Sequence, residues 1–143
     1  MYQKKQFKIM YVSETSIRVR YAETDRMGFA YYGNYAQYYE VGRVEALRQL
    51  KMSYKLMEET GILLPVYENY SRFLKPAHYD DLLTIKTTIP QLPTVRIKFL
   101  YEIKNEQEDL LNEGETTLVF INQSTNKPCL PPEQLMNAIG KYF

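Results

Sequence analysis

The sequence predicts an α+β fold in which one long helix lies against an antiparallel sheet, and three observations predict it. A short alternating segment near the N-terminus precedes a single long stretch of helical spacing; at least four strand-like segments then follow in succession; and they are read as joined by hairpins. Hairpin-joined strands build an antiparallel sheet, and a lone helix with an apolar stripe must bury that stripe on one of its faces. At 143 residues the chain can bury one core without metal or disulfide staples, so a single domain spanning 1–143 is expected.

The first strand is "SIRVRY" (16–21), with Ile17, Val19 and Tyr21 on one face and Arg18 and Arg20 on a wet one. Residues 34–51 change to helical spacing: Tyr35, Tyr38, Tyr39, Gly42, Ala46 and Leu50 fall on one stripe, and Gln37, Glu40, Arg43 and Glu45 fall off it. Asn34 is the predicted N-cap, its side-chain oxygen accepting from the free amides of the first turn. Gly42 inside the helix costs about 0.5 to 1 kcal/mol relative to Ala, a cost that close approach of the helix to a sheet would offset. A second, short helix has Ser53 as N-cap, Glu58 and Glu59 near its end, and Gly61 as its stop.

Strands then follow in "LLPVYENYSRFLKP" (63–76), "DDLLTIKTTI" (80–89), "TVRIKFLYEIK" (94–104) and, after the polar turn "NEQED", "LLNEGETTLVFIN" (110–122). The turn "QSTNKP" leads to a Pro-started terminal helix in "PPEQLMNAIGKYF" (131–143). So small a sheet leaves edges exposed, and pairing with a second copy is the expected remedy.

Composition narrows the function classes. Lys and Arg total 18 against 17 Asp and Glu, without blocks of one sign, so neither a nucleic-acid backbone nor an acidic membrane is the expected partner. One cysteine, Cys129, and one histidine, His78, argue against an intramolecular disulfide, a zinc site and a Ser-His-Asp triad. No metal and no cofactor is expected. The N-terminal apolar run at 7–12 is short and contains Lys8, which does not suit a signal peptide, and no segment has the length of an apolar membrane span. A cytoplasmic protein is the expectation.

The stretch "ETDRMGFAYYGNY" (23–35) carries the candidate chemistry. Asp25 and Gly28 read as a turn, in which Asp accepts local backbone hydrogen bonds and Gly supplies a positive φ. They read equally as a carboxylate beside a helix N-terminus, where unpaired amides suit a developing oxyanion. Small and apolar residues just beyond Asp25 suit a slot for a non-polar tail. Most of the 14 tyrosines are expected to be ordinary core residues, with the hydroxyls of Tyr35, Tyr38, Tyr39 and Tyr101 at the rim. Glu40 and Arg43 read as a surface ion pair, His78 as a turn residue, and Cys129 as inert. Arg96, Lys98 and Lys104 read as the wet face of a strand, with a phosphorylated ligand as the alternative.

"RVRYAETDRMGFAYYGNYAQYYEVGRVEALR" (18–48) resembles the signature of the 4-hydroxybenzoyl-CoA thioesterase-like family of hotdog-fold acyl-CoA thioesterases. "FLKPAHYDDLLTIKT" (73–87) and "TTLVFINQSTNKPCLPP" (116–132) resemble its later segments, so the similarity spans nearly the whole chain in order. The resemblance implies a hotdog fold, a long helix wrapped by an antiparallel sheet. It also implies hydrolysis of an acyl-CoA thioester, with the family's active-site Asp on Asp25, its glycine on Gly28 and its carbonyl-polarising amide on Tyr32. Gly28, Phe29, Tyr31 and Asn34 would then lie along the substrate. Asp25 would serve as nucleophile or as general base toward water, and residues do not choose between those roles. Many relatives carry His where this chain has Tyr32, but a backbone donor survives a side-chain change. Glu40 matches a frequent family acid of open role. The resemblance further implies a homodimer or homotetramer whose site lies between subunits, with residues near 72–75 of a partner completing the pocket. Acyl-ACP hydrolysis and non-catalytic acyl-CoA binding are the alternatives; hydratase chemistry commonly uses a histidine, and none stands near this motif.

Overall fold

The computed structural model describes residues 10–143. The first half of the N-terminal apolar run at 7–12 therefore lies outside the described residues. In chain order the elements are β1 (Tyr11–Arg18), single 3₁₀ turns at Tyr21–Glu23 and Tyr32–Asn34, α1 (Tyr35–Gln49), α2 (Tyr54–Glu59), β2 (Ile62–Leu63) and β3 (Val66–Phe73). There follow β4 (Leu82–Ile89), β5 (Arg96–Lys104), β6 (Leu110–Val119), β7 (Ile121–Asn122), β8 (Lys127–Pro128) and α3 (Glu133–Gly140). The main sheet has the order β1-β4-β5-β6-β3, antiparallel throughout, and a small second sheet has the order β2-β7-β8. α1 packs on the main sheet, burying Tyr35, Tyr38, Tyr39, Ala46 and Leu47 against Leu83, Ile85, Ile97, Phe99 and Ile103. This is the α+β hotdog arrangement.

Three expected boundaries move. β1 begins at Tyr11 and ends at Arg18, leaving Tyr21 exposed in a 3₁₀ turn instead of on a strand face. The inward residues of its first half are Tyr11 and Ser13, which bond α1 through the Ala46 carbonyl (2.7 Å) and Gln49 (2.9 Å). A buried serine disguises the alternation. The segment 63–76 divides at Pro65 into β2 and β3, and 110–122 divides at Phe120 into β6 and β7.

The connection from β3 to β4 is a crossover, not a hairpin, because β3 pairs with β6 at one edge while β4 sits between β1 and β5. Burial explains the placement. β3 has no fully buried residue, as an edge tolerates, whereas β4 and β5 bury one face at nearly every second position.

Gly42 is where the helix meets the sheet. A Cβ built there would stand 2.6 Å from Thr87 Oγ1 and 2.9 Å from Ile85 Cγ2 on β4, so the expected close approach is present.

Arg43 does not form the expected surface pair with Glu40. It is buried, and its Nε donates to the Tyr54 hydroxyl at 3.0 Å, because α2 folds over that flank of α1. Among the described residues the surface pair on this helix joins Glu45 and Arg48 instead.

The tyrosine hydroxyls also depart from the rim. Tyr38 donates to Glu23 inside the protein, and Tyr39 bonds Ser71 Oγ (2.6 Å) and Asn112 Oδ1 while its ring stacks on Tyr101 at 4.2 Å. Burial pushes the phenols of Tyr35 and Tyr101 up to about 12, and raises Tyr38 further with help from the Glu23 charge. A raised phenol pKa favours the protonated folded state. Its stabilisation is complete below the unfolded value of about 10 and is lost as pH rises through the folded one. Unfolding is therefore expected between about pH 10 and 12, followed by circular dichroism beside phenolate absorbance. Phenolate appearing gradually from pH 9, with no loss of fold, would contradict this.

Candidate active site

The site is built by the chain between β1 and α1. After β1 the main chain continues beside the start of β4, with Val19 N donating to Asp81 O at 2.9 Å. The next turn ends at Glu23, whose carboxylate is buried. Burial alone would raise the Glu23 pKa, but hydrogen bonds from the Arg20 amide and guanidinium and from Tyr38 hold it below the usual carboxylate range.

Asp25 follows in a tight loop. Its amide donates to Phe29 O (2.8 Å), Gly28 N donates to Asp25 O (3.0 Å), and Gly28 takes φ +82°. Asp25 Oδ1 accepts from the amides of Met27 (2.9 Å) and Phe29 (3.3 Å). The turn reading is thus true, and it uses only one carboxylate oxygen: Oδ2 has no hydrogen-bond partner among the described residues.

The chain then crosses to the helix. Ala30 N donates to Ala77 O (2.8 Å) and Tyr31 N to Glu23 O (2.8 Å), after which the 3₁₀ turn Tyr32–Asn34 runs into α1. The amides of Tyr32 and Gly33, at the start of that turn, meet no acceptor among the described residues. Asn34 does not cap the helix with its oxygen as expected. It holds a helical φ/ψ of −76°/−17°, and its Nδ2 donates to Glu23 O at 2.8 Å, because the preceding 3₁₀ turn already starts the helical path.

Asp25 separates two depressions. One, of about 300 Å³, is lined by Met27, Phe29, Tyr32 and Tyr35 from the loop and helix and by Phe73 and Leu74 from the end of β3, with Lys75 at its margin. The other, of about 710 Å³ and more open, is lined by Tyr21, Thr24, Arg26, Tyr31 and Asn34. The expected site residues are therefore divided: Phe29 and Tyr32 stand with Asp25 on the apolar side, Tyr31 and Asn34 on the other. Gly28 lines neither and serves the turn.

Other candidates lie elsewhere. His78 is a turn residue whose amide donates to Asp81 (2.8 Å) and whose ring stands edge-on to Phe29 at 5.4 Å. Arg96 lies over the Tyr67 ring at 4.4 Å, and Cys129 is half-buried. Lys75 approaches Asp109 at 3.7 Å. No group of three His, Cys, Asp or Glu that could hold a metal occurs among the described residues, and no helix there is long and apolar enough to cross a membrane.

Two features escape the sequence. Glu23 looks like a solvated residue of a charged turn, and only its bond to Tyr38, fifteen positions on, reveals that it is buried. Phe73, the last residue of this chain's own β3, and Leu74 just after it line the apolar depression, a contribution from the same chain that the sequence does not signal.

A carboxylate with one oxygen fixed and one unpartnered, beside helix-start amides and an apolar recess, can activate or attack an electrophilic carbonyl while those amides hold its oxygen. Known proteins share the framework. The chain is 34% identical over 119 residues to YneP of Bacillus subtilis, covering 83% of this chain and 86% of that protein. It is 30% identical over 120 residues to the acyl-CoA thioester hydrolase YbgC of Escherichia coli O157:H7, covering 84% and 90% respectively. The crystal structure of a DHNA-CoA thioesterase from Staphylococcus aureus superposes with a TM-score of 0.80 at 39% identity, over 83% of this chain and 80% of that one. Residues 19–139 match the model of the thioesterase-like superfamily, and the chain belongs to that superfamily.

Proposed function

We propose that this protein hydrolyses the thioester of a small or medium acyl-CoA at Asp25. The observation that carries the reading is the division of labour within one carboxylate: Oδ1 is spent on the Met27 and Phe29 amides, Oδ2 has no hydrogen-bond partner among the described residues, and Asp25 lines the same recess as Tyr32. The names of the relatives, acyl-CoA thioester hydrolase and DHNA-CoA thioesterase, support the substrate class.

As general base, Oδ2 takes a proton from water, whose oxygen adds to the thioester carbonyl. The carbonyl oxygen gains negative charge and is held by the Tyr32 amide at the helix start. Collapse breaks the C–S bond, and the proton returns to the departing thiolate. As nucleophile, Oδ2 itself adds to the carbonyl, the C–S bond breaks and the thiolate leaves to take up a proton from solvent. Water then cleaves the mixed anhydride to return the Asp25 carboxylate and release the acid. Hydroxylamine trapping of an anhydride separates the two routes.

The rings of Phe29, Tyr32, Tyr35 and Phe73 around about 300 Å³ suit a compact acyl group, a planar aromatic one included. The near-neutral charge and single cysteine suit a cytoplasmic setting.

The working form is a homodimer or homotetramer joined through β3. That edge exposes Val66, Tyr67, Tyr70, Phe73 and, just beyond it, Leu74, more apolar surface than an edge facing water tolerates. Light scattering is expected to give a mass of at least two chains, and Tyr70→Lys to weaken association more than tenfold. A monomer that is fully active would remove the shared-site reading.

The decisive assay is a panel of acyl-CoA and acyl-ACP thioesters with a free-thiol readout. Turnover of acyl-CoA supports the proposal, preference for acyl-ACP moves the carrier, and tight acyl-CoA binding without thiol release makes the protein a binding module.

A further inference from the structure

Glu23 stands two residues before Asp25 with only 7% of its side chain exposed. A buried carboxylate persists where its lone pairs are met, and here both oxygens are. Oε1 accepts from the Arg20 amide (2.9 Å) and the Tyr38 hydroxyl (3.0 Å), and Oε2 from Arg20 Nε (3.0 Å) with Nη2 at 2.9 Å. The carbonyl of the same residue accepts from Tyr31 N and from Asn34 Nδ2, each at 2.8 Å.

These partners come from different elements. Arg20 belongs to the chain leaving β1, Tyr38 to the first turns of α1, and Tyr31 and Asn34 flank the segment whose Tyr32 and Gly33 amides meet no acceptor among the described residues. Asp25 is reached from Glu23 through a single residue, so whatever fixes Glu23 to the helix start also fixes the carboxylate relative to those amides. An exposed ion pair would add little here. The unusual feature is that Glu23 is turned inward and bonded to the helix through Tyr38, while its partner Arg20 stays largely exposed.

We propose that Glu23 is a positioning residue for thioester cleavage, a peg that sets the separation between the Asp25 carboxylate and the amides at the start of α1. This rests on the proposed reaction at Asp25. Geometry of this kind matters because a misplacement of about 1 Å can cost about 10²-fold in rate. Glu23 itself forms and breaks no bond, and its carboxylate is already saturated by Arg20 and Tyr38.

The test compares Glu23→Gln, Tyr38→Phe and the double variant, with kcat and KM measured well below each melting temperature and expressed per folded molecule. Glu23→Gln keeps the volume but turns an NH₂ toward donors, and is expected to lower kcat about 10- to 100-fold with KM within about threefold. Tyr38→Phe removes one donor and keeps the ring, for a loss of a few-fold. The double variant should be no worse than Glu23→Gln, since the Tyr38 hydroxyl acts through its bond to Glu23. Hydrogen exchange read by mass spectrometry should accelerate across residues 24–34 in Glu23→Gln.

Wild-type kcat per folded molecule in Glu23→Gln would overturn the proposal, because a residue needed only for stability lowers the melting temperature alone. Should the unmodified protein cleave no thioester, the reaction fails and not the peg. Hydrogen exchange then decides: unchanged protection across 24–34 overturns the peg, and local loosening confined to that segment supports it.

Discussion

Asp25→Asn is expected to lower kcat by about 10²- to 10⁴-fold and to leave the fold in place. The two effects separate because the two carboxylate oxygens do different work. Asparagine keeps a carbonyl oxygen able to accept from the Met27 and Phe29 amides, so the loop loses no turn contact that Oδ1 supplied. What it loses is the basic and nucleophilic second oxygen. The melting temperature should therefore stay within about 2 °C, corresponding to about 0.5 kcal/mol for a substitution at this half-buried position that keeps the turn contacts. Asp25→Ala is the contrasting variant, since it deletes both oxygens and should loosen the loop as well as stop turnover. Wild-type turnover in Asp25→Asn would remove Asp25 from the chemistry and leave it a turn residue.

Gly42→Ala carries the largest expected effect on stability. In an exposed helix the change would stabilise by up to about 1 kcal/mol. Here the new methyl would meet Thr87 Oγ1 at 2.6 Å and Ile85 Cγ2 at 2.9 Å, both on β4, an interior strand of the sheet. Neither is the free end of a long flexible side chain, so α1 must lift from β4. Overpacking of this kind costs about 1 to 3 kcal/mol, which exceeds the helix gain. A fall in melting temperature of roughly 5 to 10 °C is expected. Thr87→Ala in the same chain should recover part of it, because it removes the nearer contact along with a buried hydroxyl that has no partner among the described residues. A Gly42→Ala variant as stable as the parent would mean that the helix and sheet are less closely apposed than these distances state.

Elements whose side chains report their own surroundings were legible in the sequence. The stripe Tyr35, Tyr38, Tyr39, Gly42, Ala46 and Leu50 locates α1 and its buried face, and the alternation of Ile97, Phe99, Tyr101 and Ile103 locates β5. Gly42 even announces how near the sheet lies. Ser53 caps α2 as expected, accepting from Leu56 N at 3.1 Å.

What stayed hidden depends on partners distant in the chain. The order of strands cannot be read from β3 itself, because an edge strand and a hairpin strand have the same local pattern. Arg43 is charged and off the apolar stripe, so nothing local says that Tyr54 will cover it. Asn34 has the chemistry of a cap, yet Glu23 O competes for it as an acceptor and the 3₁₀ turn removes the need. In the site, Asp25 and Gly28 are visible as a motif because both act through adjacent backbone. Glu23 and Phe73 act through space, and the sequence is silent on them.

The Tyr39 hydroxyl joins α1 to Ser71 on β3 and to Asn112 on β6. It lies one helical turn beyond Tyr35, and Ser71 lies two residues before Phe73, so this phenol acts as a gauge block between opposite walls of the apolar recess. The width of that recess is thus inherited from the interior. Altering the trio Tyr39, Ser71 and Asn112 would change the width of the recess without changing any residue that lines it.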